Sequence, residues 1–250
     1  MRIDNYLVYK GYFDSRTKAK QSIERGEIFI DGKIVNKPSF ELNENIDAFV
    51  EIKTDKSFVS LGGYKLHKAL EDFNFNCSNL IVADIGASTG GFTDCLLKNG
   101  AKKVFAVDLN DQLLHESLKN DSRVQSIIKN ARELTKEDFP CSLDLIVADL
   151  SFISITYVLN VFSDLLEDGK NLIILIKPQF ETGEKKRFKN GIVRDEKLRL
   201  NICKNIFNLA NSMSLTPINF TTAPIHDNKN VEYLMLFTKN GKNKFEFKNK

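Results

Sequence analysis

The sequence has few of the residues that build metal centres and disulfide frameworks. It contains four cysteines and three histidines in 250 residues. The cysteines form no C-x-x-C pair and the histidines show no metal-ligand spacing. Metal sites need closely spaced ligands, and secreted frameworks need paired cysteines. We therefore expect no metal site, and reduced, buried thiols at Cys77, Cys95, Cys141 and Cys203.

Long apolar runs are missing as well. Residues 1–5 lack the apolar core of a signal peptide, and no run approaches the roughly 20 residues that cross a bilayer. The composition is 42% hydrophobic and 28% charged, with a net charge of +3, which is typical of a folded protein. We expect a cytoplasmic protein with no membrane partner. No obligate protein partner is evident.

The first 52 residues have the pattern of a small α+β unit. Two helical stretches come first, and Asp14-Ser15 supplies an N-cap for the second. Strand-like runs then flank Asp31-Gly32, a hairpin turn signal. Residues 1–40 carry eight Lys/Arg against five Asp/Glu, so we expect this unit to contact RNA. The candidate RNA-binding residues are Arg2, Arg16, Lys18, Lys20 and Arg25.

The motifs of this unit resemble the S4 RNA-binding domain. They are Arg2-Ile3-Asp4-x-x-Leu7, Ser15-Arg16-x-x-Ala19 and Gly26-x-Ile28-x-Ile30-Asp31-Gly32. The resemblance implies binding of structured RNA, largely by shape and backbone contacts.

Residues 63–240 alternate apolar runs with helical patterns, which predicts an α/β fold with a parallel sheet covered on both faces. A linker, 53–62, precedes this domain, and a lysine-rich tail, 241–250, follows it. The last two strands follow one another directly, which predicts a hairpin at the edge of the sheet. The seven candidate strands are 80–85, 103–108, 123–128, 144–149, 171–177, 215–222 and 231–238.

A glycine turn after the first of these strands predicts a cofactor site. The turn Gly86-x-x-x-Gly90-Gly91 lets the backbone approach a ligand, and Asp108, closing the next strand, can accept bonds from ribose hydroxyls. The spacing is not the G-x-G-x-x-G expected of an NAD-binding oxidoreductase, and no Lys-Ser/Thr follows it. A nucleoside cofactor without a pyrophosphate, S-adenosylmethionine, fits better. We expect a side chain at Gly90 to fill space that the cofactor needs. The candidate cofactor-binding residues are Asp84, Gly86, Ala87, Ser88, Gly90, Gly91, Phe92, Asp108 and Asp149.

Two further strands end in ionisable residues. Asp149 follows one buried run, and Lys177 follows another and precedes a proline. Ligands bind at the carboxyl ends of the strands in open α/β sheets. We therefore expect Asp149 and Lys177 to meet beside the cofactor.

Five motifs, taken in order, resemble the TlyA family, also called haemolysin A. They are Ser60-x-Gly62-Gly63-x-Lys65-Leu66, Asp84-x-Gly86-Ala87-Ser88-Thr89-Gly90-Gly91-Phe92-Thr93, Val147-Ala148-Asp149-Leu150-Ser151-Phe152-Ile153-Ser154, Ile176-Lys177-Pro178-Gln179-Phe180-Glu181 and Asn230-Val231-Glu232-Tyr233. The resemblance implies a Rossmann-like methyltransferase sheet similar to the FtsJ-type ribose methyltransferases. It also implies S-adenosylmethionine as cofactor and methylation of cytidine 2′-hydroxyls in ribosomal RNA within ribosomal subunits. The family's catalytic tetrad falls on Lys65, Asp149, Lys177 and Glu232.

The resemblance leaves several alternatives open. The chain starts as in the shorter TlyA group, which implies action on the large-subunit 23S RNA, whereas the longer group acts on both 16S and 23S RNA. Lys177 can act as a general base or can stabilise the developing oxyanion. Outside methyl transfer, the rivals are a membrane-active haemolysin and an RNA-binding or pseudouridylating S4 protein.

Overall fold

The structure, a computed structural model, describes residues 1–24, 26–42, 50–52, 58–182, 188–224, 229–242 and 245. The chain divides into two compact units, Met1–Ser57 and Phe58–Lys250. We describe each unit by itself.

The first unit packs two helices on a three-stranded antiparallel sheet with the strand order β2-β1-β3. Its core contains Ile3 and Leu7 from the first helix and Ala19 and Ile23 from the second. The α+β prediction is confirmed, but the sequence analysis missed the third strand. The elements are α1 (Ile3–Tyr9), α2 (Arg16–Glu24), β1 (Ile28–Ile30), β2 (Lys33–Ile34) and β3 (Val50–Ile52).

The second unit is built on a seven-stranded sheet, and each of the seven predicted strands is present. Its helices are α3 (Leu61–Asp72), α4 (Gly91–Lys98), α5 (Glu116–Lys119), α6 (Leu159–Leu165), α7 (Pro178–Glu181) and α8 (Glu196–Ser212). Its strands are β4 (Ile81–Ile85), β5 (Lys103–Asp108), β6 (Val124–Ile128), β7 (Leu145–Ala148), β8 (Asn171–Ile176), β9 (Leu215–Thr222) and β10 (Tyr233–Lys239).

The strand order is β6-β5-β4-β7-β8-β10-β9. The first five strands in this order are parallel, whereas β10 is antiparallel to both β8 and β9. The predicted edge hairpin is therefore confirmed, with β9 outermost. The two hairpin strands run in opposite directions, as two strands joined by a short connection must, and the rest of the sheet is parallel as predicted.

Both faces of the sheet are buried, which explains why the strands read as continuous apolar runs. Side chains alternate between two cores along each strand. Ala83 and Ile85 of β4 pack into one core with Phe162 of α6, and Val82 packs into the other with Leu96 of α4. Because of this alternation, successive side chains near the carboxyl edge lie on opposite faces of the sheet.

Two helical segments differ from expectation. Residues 111–118 have a helical pattern, but a 3₁₀ turn (Asp111–Leu113) is followed by the short α5. The short helix α7 was not predicted; Pro178 occupies its first position, where the missing N–H costs nothing. Within the described ranges, no helix combines the length and the apolar character needed to cross a membrane.

Candidate active site

Adjacent strands bring the predicted catalytic residues to one edge of the sheet. Ile85 of β4 lies opposite Ala148 of β7, and Ala148 lies opposite Ile174 of β8. Because these strands are parallel, the residues after each of them meet at the same edge. Asp149 and Lys177 follow β7 and β8 directly, next to the glycine turn that follows β4.

A cavity opens at this edge, between the glycine turn and the two strand ends. Most of the glycine turn lines it, together with the start of α3 and the residues after β7 and β8. The lining residues are Ser60, Gly62, Gly86, Ala87, Ser88, Thr89, Gly91, Phe92, Asp149, Ser151 and Lys177.

Lys177 has two partners at the cavity wall. Its Nζ lies 2.6 Å from Oδ1 of Asp149 and donates to Oγ of Ser151 at 2.6 Å. The side chains of Lys177 and Asp149 are only 10% and 20% exposed. Only the contact with Ser151 is a hydrogen bond. Oδ1 of Asp149 is buried without a hydrogen-bond partner among the described residues, so its contact with Lys177 is an ion pair, and the ammonium group keeps hydrogens for a further acceptor.

The other two members of the predicted tetrad form a second ion pair. Lys65 Nζ donates to Oε2 of Glu232 at 2.6 Å, and both side chains are mostly buried. Tyr233 lies opposite Ile176 in the antiparallel register, so Glu232 borders the end of β8. The lining of the cavity includes Asp149 and Lys177 but neither Lys65 nor Glu232.

The glycine turn approaches the neighbouring strand closely. Gly86 has φ +84°, and a Cβ atom there would lie 2.7 Å from the carbonyl oxygen of Asp149. Only glycine fits such a position without strain. At Gly90, φ is +89°, and a Cβ atom would clash with Leu118 and Leu114 instead of entering the cavity. The expectation that Gly90 clears space for the cofactor is therefore corrected: Gly90 is needed because the turn packs on these leucines.

Two predicted cofactor-binding acids lie behind or beside the turn. Asp84 is fully buried, and its Oδ2 accepts a hydrogen bond from Thr93 Oγ1 at 2.6 Å. Its Oδ1 is buried without a hydrogen-bond partner in the described part of the chain. Asp108 accepts from the backbone N–H groups of Ser88 at 2.8 Å and Leu109 at 2.7 Å. These bonds hold Ser88 against the end of β5 and leave lone pairs on Asp108 for a ligand.

The chemistry of these groups suits a cationic nucleoside cofactor. Three carboxylates, those of Asp84, Asp108 and Asp149, lie at or near the carboxyl ends of adjacent strands, and Asp149 forms an ion pair with Lys177. Such a set repels a pyrophosphate and attracts a sulfonium or an amino group. The buried, unpartnered Oδ1 of Asp84 is consistent with a cationic ligand nearby. The residues present therefore fit S-adenosylmethionine.

The sequence analysis quoted Ser151 and Phe152 within a motif but gave them no role. Ser151 contacts Lys177, as described above. Phe152 is 88% exposed with φ +66°, an uncommon backbone conformation for a bulky residue, and its ring lies 5.3 Å from the ring of Phe180. Strained residues of this kind cluster at functional sites. Nothing in the sequence indicates that Phe152 is exposed, because an aromatic residue among apolar neighbours is normally expected to be buried.

In the first unit, the predicted RNA-binding cations have different surroundings. Arg2 and Arg16 both donate to the buried carboxylate of Asp4, at 3.1 and 2.9 Å, and their side chains are about half exposed. Burial raises the pKa of Asp4, but the hydrogen bonds from Arg16 and Arg2 outweigh it and hold the pKa below its usual value. Lys18 pairs with Asp14 at 2.8 Å.

Lys20 lies one turn after Arg16 on α2 and is exposed. The backbone therefore places these two cations on one side of the helix. Arg25, the remaining predicted RNA contact, lies outside the described residues.

Comparison with known families matches both units. The family model described as FtsJ-like methyltransferase matches residues 58–240. The S4 domain model matches residues 1–45.

Three relatives align over nearly the whole chain. Hemolysin A of Brachyspira hyodysenteriae is 40% identical, and the match covers 95% of this chain and 99% of the relative. The 16S/23S rRNA (cytidine-2′-O)-methyltransferase TlyA of Mycobacterium tuberculosis is 36% identical, with 94% and 88% covered. The 23S rRNA (cytidine-2′-O)-methyltransferase TlyA of Campylobacter jejuni is 30% identical, with 96% and 100% covered.

A solved structure extends the similarity to the fold. A candidate hemolysin from Streptococcus thermophilus is 33% identical, with a TM-score of 0.72, and the match covers 97% of this chain and 90% of that one. The chain thus shares both sequence and architecture with these proteins.

The carboxyl group of Asp84 should make the stability of the protein depend on pH. Burial raises its pKa to about 7. The negative charges of Asp149 and Asp108 also raise the pKa, whereas the hydrogen bond from Thr93 lowers it. A carboxyl whose pKa is raised on folding costs no stability below its unfolded pKa, and the cost grows as the pH rises to the folded pKa. Replacing Asp84 with Asn removes this cost. We expect Asp84→Asn to stabilise the ligand-free protein by about 2–3 kcal/mol more at pH 8 than at pH 5.

Denaturant unfolding at the two pH values measures this difference. Asp164→Asn, at an exposed position on α6, is the matched control and should show no such pH dependence. An equal effect of Asp84→Asn at both pH values would show that Asp84 ionises normally in the folded protein.

Proposed function

We propose that this chain, which belongs to the TlyA branch of the FtsJ-like methyltransferase family, methylates a cytidine 2′-hydroxyl of ribosomal RNA. It is an S-adenosylmethionine-dependent methyltransferase. The observation that carries the proposal is the Lys177–Asp149 ion pair, which lines a cavity shared with the glycine turn. That cavity can hold a cofactor and an acceptor hydroxyl side by side.

The role of Lys177 follows from its contacts. When bound, S-adenosylmethionine supplies a methyl group on a positively charged sulfur. Lys177 forms an ion pair with the carboxylate of Asp149 at 2.6 Å, and we assign it the role of a cation in the reaction. With one hydrogen directed to Ser151, another can bind the ribose oxygen and stabilise its developing negative charge. Of the two roles left open by the sequence, this geometry favours the stabilising one.

Lys65, on α3, and Glu232, immediately before β10, assist from neighbouring elements. They neutralise one another at 2.6 Å, and Glu232 borders the end of β8. We assign them to holding the acceptor nucleotide in place, outside the lining of the cavity itself. Phe152 offers an exposed ring beside Asp149 on which the unstacked target base can lie, as bases do in single-stranded RNA recognition.

RNA recognition is assigned to the first unit. We take residues 1–52 as the S4 RNA-binding domain, 53–62 as a linker, 63–240 as the methyltransferase domain and 241–250 as a tail. The predicted RNA contacts are the cations around α2 together with Arg2. The substrate is structured RNA in a ribosomal subunit, since an S4 unit reads shape, and such a substrate places the working protein in the cytoplasm.

The large-subunit 23S RNA is the preferred substrate. The names of both TlyA relatives include 23S RNA, whereas only the Mycobacterium tuberculosis protein is also named for 16S RNA. Action on 23S RNA is thus the property that these relatives share. A membrane-lytic role, as the name hemolysin implies for other relatives, would leave the Lys177–Asp149 pair and the glycine turn without a use.

Methyl transfer to purified ribosomal subunits tests the function directly. The protein is incubated with tritiated S-adenosylmethionine and subunits from a strain that lacks the modification. We expect label in the 23S RNA of large subunits, on a cytidine ribose. Label in 16S RNA alone would contradict the preferred substrate, and no label in either RNA would contradict the reaction.

Lys177→Ala should abolish methyl transfer, with a loss of roughly 100-fold or more in kcat, because it removes the donor to the ribose oxygen. Binding of S-adenosylmethionine, measured by calorimetry, should stay near normal. Lys170→Ala is the matched control. Lys170 precedes β8 and pairs at 2.7 Å with Asp144, which precedes β7, so this variant removes a similar ion pair at the other end of the same two strands. Activity of Lys177→Ala within a few-fold of the wild type would remove Lys177 from the mechanism.

Lys20→Gln should weaken RNA binding and reduce the slope of log K against log salt by about one, because one phosphate contact is lost. Lys18→Gln should change the slope less, since Asp14 already neutralises Lys18 at 2.8 Å. Arg16 is a poorer site for the test, because it also holds the buried Asp4. Filter binding of ribosomal subunits over a range of salt concentrations measures both slopes. Equal slopes for Lys20→Gln and the wild type would show that Lys20 does not contact RNA.

A further inference from the structure

Two short segments at the carboxyl edge of the sheet are joined side by side. One follows β7 and contains Asp149 and Ser151; the other runs from Lys177 through α7. At one end Lys177 contacts Asp149 and Ser151, both at 2.6 Å. At the other end Glu181, the last residue of α7, contacts the turn after β7.

Glu181 uses both carboxylate oxygens on this turn. Its Oε2 accepts from Oγ of Ser154 at 2.5 Å, and its Oε1 accepts from the backbone N–H of Ile155 at 2.9 Å. Ser154 Oγ also lies 2.7 Å from Oγ1 of Thr156 and accepts from its backbone N–H. One carboxylate therefore fixes the start of the 3₁₀ turn (Ile155–Tyr157) to α7.

The surroundings of Glu181 disfavour the charged form of its side chain. Burial raises its pKa, and the hydrogen bonds from Ile155 and Ser154 only partly oppose that effect. No lysine or arginine forms an ion pair with it among the described residues. A partly buried carboxylate loses contact with water, and the hydrogen bonds from Ser154 and Ile155 offset that loss.

The segment held by Glu181 needs an anchor. Phe152, which lies between Ser151 and Ser154 in the sequence, has φ +66°. Such a conformation persists only where the surrounding structure enforces it. Lys177 contacts this segment before Phe152, at Asp149 and Ser151, whereas Glu181 contacts it after Phe152, at Ser154 and Ile155. When the Glu181 contacts are lost, the turn can relax and withdraw Ser151 from Lys177.

We propose that Glu181 is a positioning residue for methyl transfer: it fixes the turn after β7 and so holds Ser151 against the Lys177 amine. It does not contact cofactor or acceptor. This role rests on the proposed function, in which another hydrogen of Lys177 binds the ribose oxygen. Orientation errors of about 1 Å can cost a reaction roughly 100-fold, so the loss of such a brace has a large kinetic effect.

The experiment compares four variants with the wild type. Glu181→Ala removes both hydrogen bonds, and Ser154→Ala removes one of them. Glu181→Gln retains an acceptor for Ile155 and a donor for Ser154. Glu167→Ala is the matched control, because Glu167 accepts from Ser142 at 2.7 Å near the opposite edge of the sheet. For each protein we measure kcat and KM on large subunits, S-adenosylmethionine affinity and the side-chain ¹⁵N signal of Lys177.

We expect the Glu181 and Ser154 alanine variants to lose kcat while they retain their affinity for S-adenosylmethionine. Glu181→Ala loses roughly 10- to 100-fold in kcat, while cofactor affinity stays within about twofold and the Lys177 signal shifts or broadens. Ser154→Ala shows a smaller loss of the same kind, and it decides the matter where Glu181→Ala does not fold. Glu181→Gln restores kcat to near the wild-type value, and Glu167→Ala leaves kcat unchanged.

Two results would overturn the proposal. One is a wild-type kcat and Lys177 signal in folded Glu181→Ala or Ser154→Ala. The other is a loss in Glu181→Gln as large as that in Glu181→Ala, which would show that the charge matters rather than the hydrogen bonds. A wild-type protein that labels no RNA would refute the proposed function instead, and the Lys177 signal would still report on Glu181.

Discussion

The close approach of two backbones governs the arrangement of the site. Gly86 lies so near Asp149 that a Cβ atom at Gly86 would be 2.7 Å from the Asp149 carbonyl oxygen. This contact places the glycine turn directly beside the strand end that carries Asp149. The parallel register of β4, β7 and β8 makes the approach possible, because it ends all three strands at one edge. Without glycine at this position the two segments would separate, and the cavity between them would change shape.

Charge balance explains how several ionisable groups share one partly buried edge. Lys177 with Asp149 and Lys65 with Glu232 form two separate pairs, each at 2.6 Å. A mostly buried ion is tolerated when it is paired and hydrogen-bonded, and removing one partner leaves an uncompensated charge. Among the described residues Asp84 has no ion-pair partner, and burial raises its pKa to about 7. The carboxyl group of Asp84 is therefore only partly ionised near neutral pH, and a cationic cofactor nearby would favour its charged form.

The sequence predicted the architecture well because each strand carries a local signal. The buried parallel strands β4, β5, β7 and β8 read as apolar runs ended by glycine or an ionisable residue. The edge strand β6 and the antiparallel strands β9 and β10 were predicted as well. The β3 strand was missed because Val50–Ile52 is three residues long and only partly buried. Pairing of side chains is not written in a local pattern. The contact of Lys177 with Ser151, the brace from Glu181 and the clash of a Gly90 side chain with Leu118 all join segments more than twenty residues apart.

The chemistry of the site also gives a reason for a second unit. Acids at the strand ends favour a cationic cofactor, but the same acids repel the phosphates of RNA. Affinity for a polyanion must then come from cations that are not committed to neutralising the site. Lys177 and Lys65 are already paired, whereas α2 offers the exposed Lys20 together with Arg16, which is held in place by a buried acid. A methyltransferase of this design can bind its cofactor through negative charge only if RNA binding rests on separate, positively charged surface, and an S4 unit supplies such a surface.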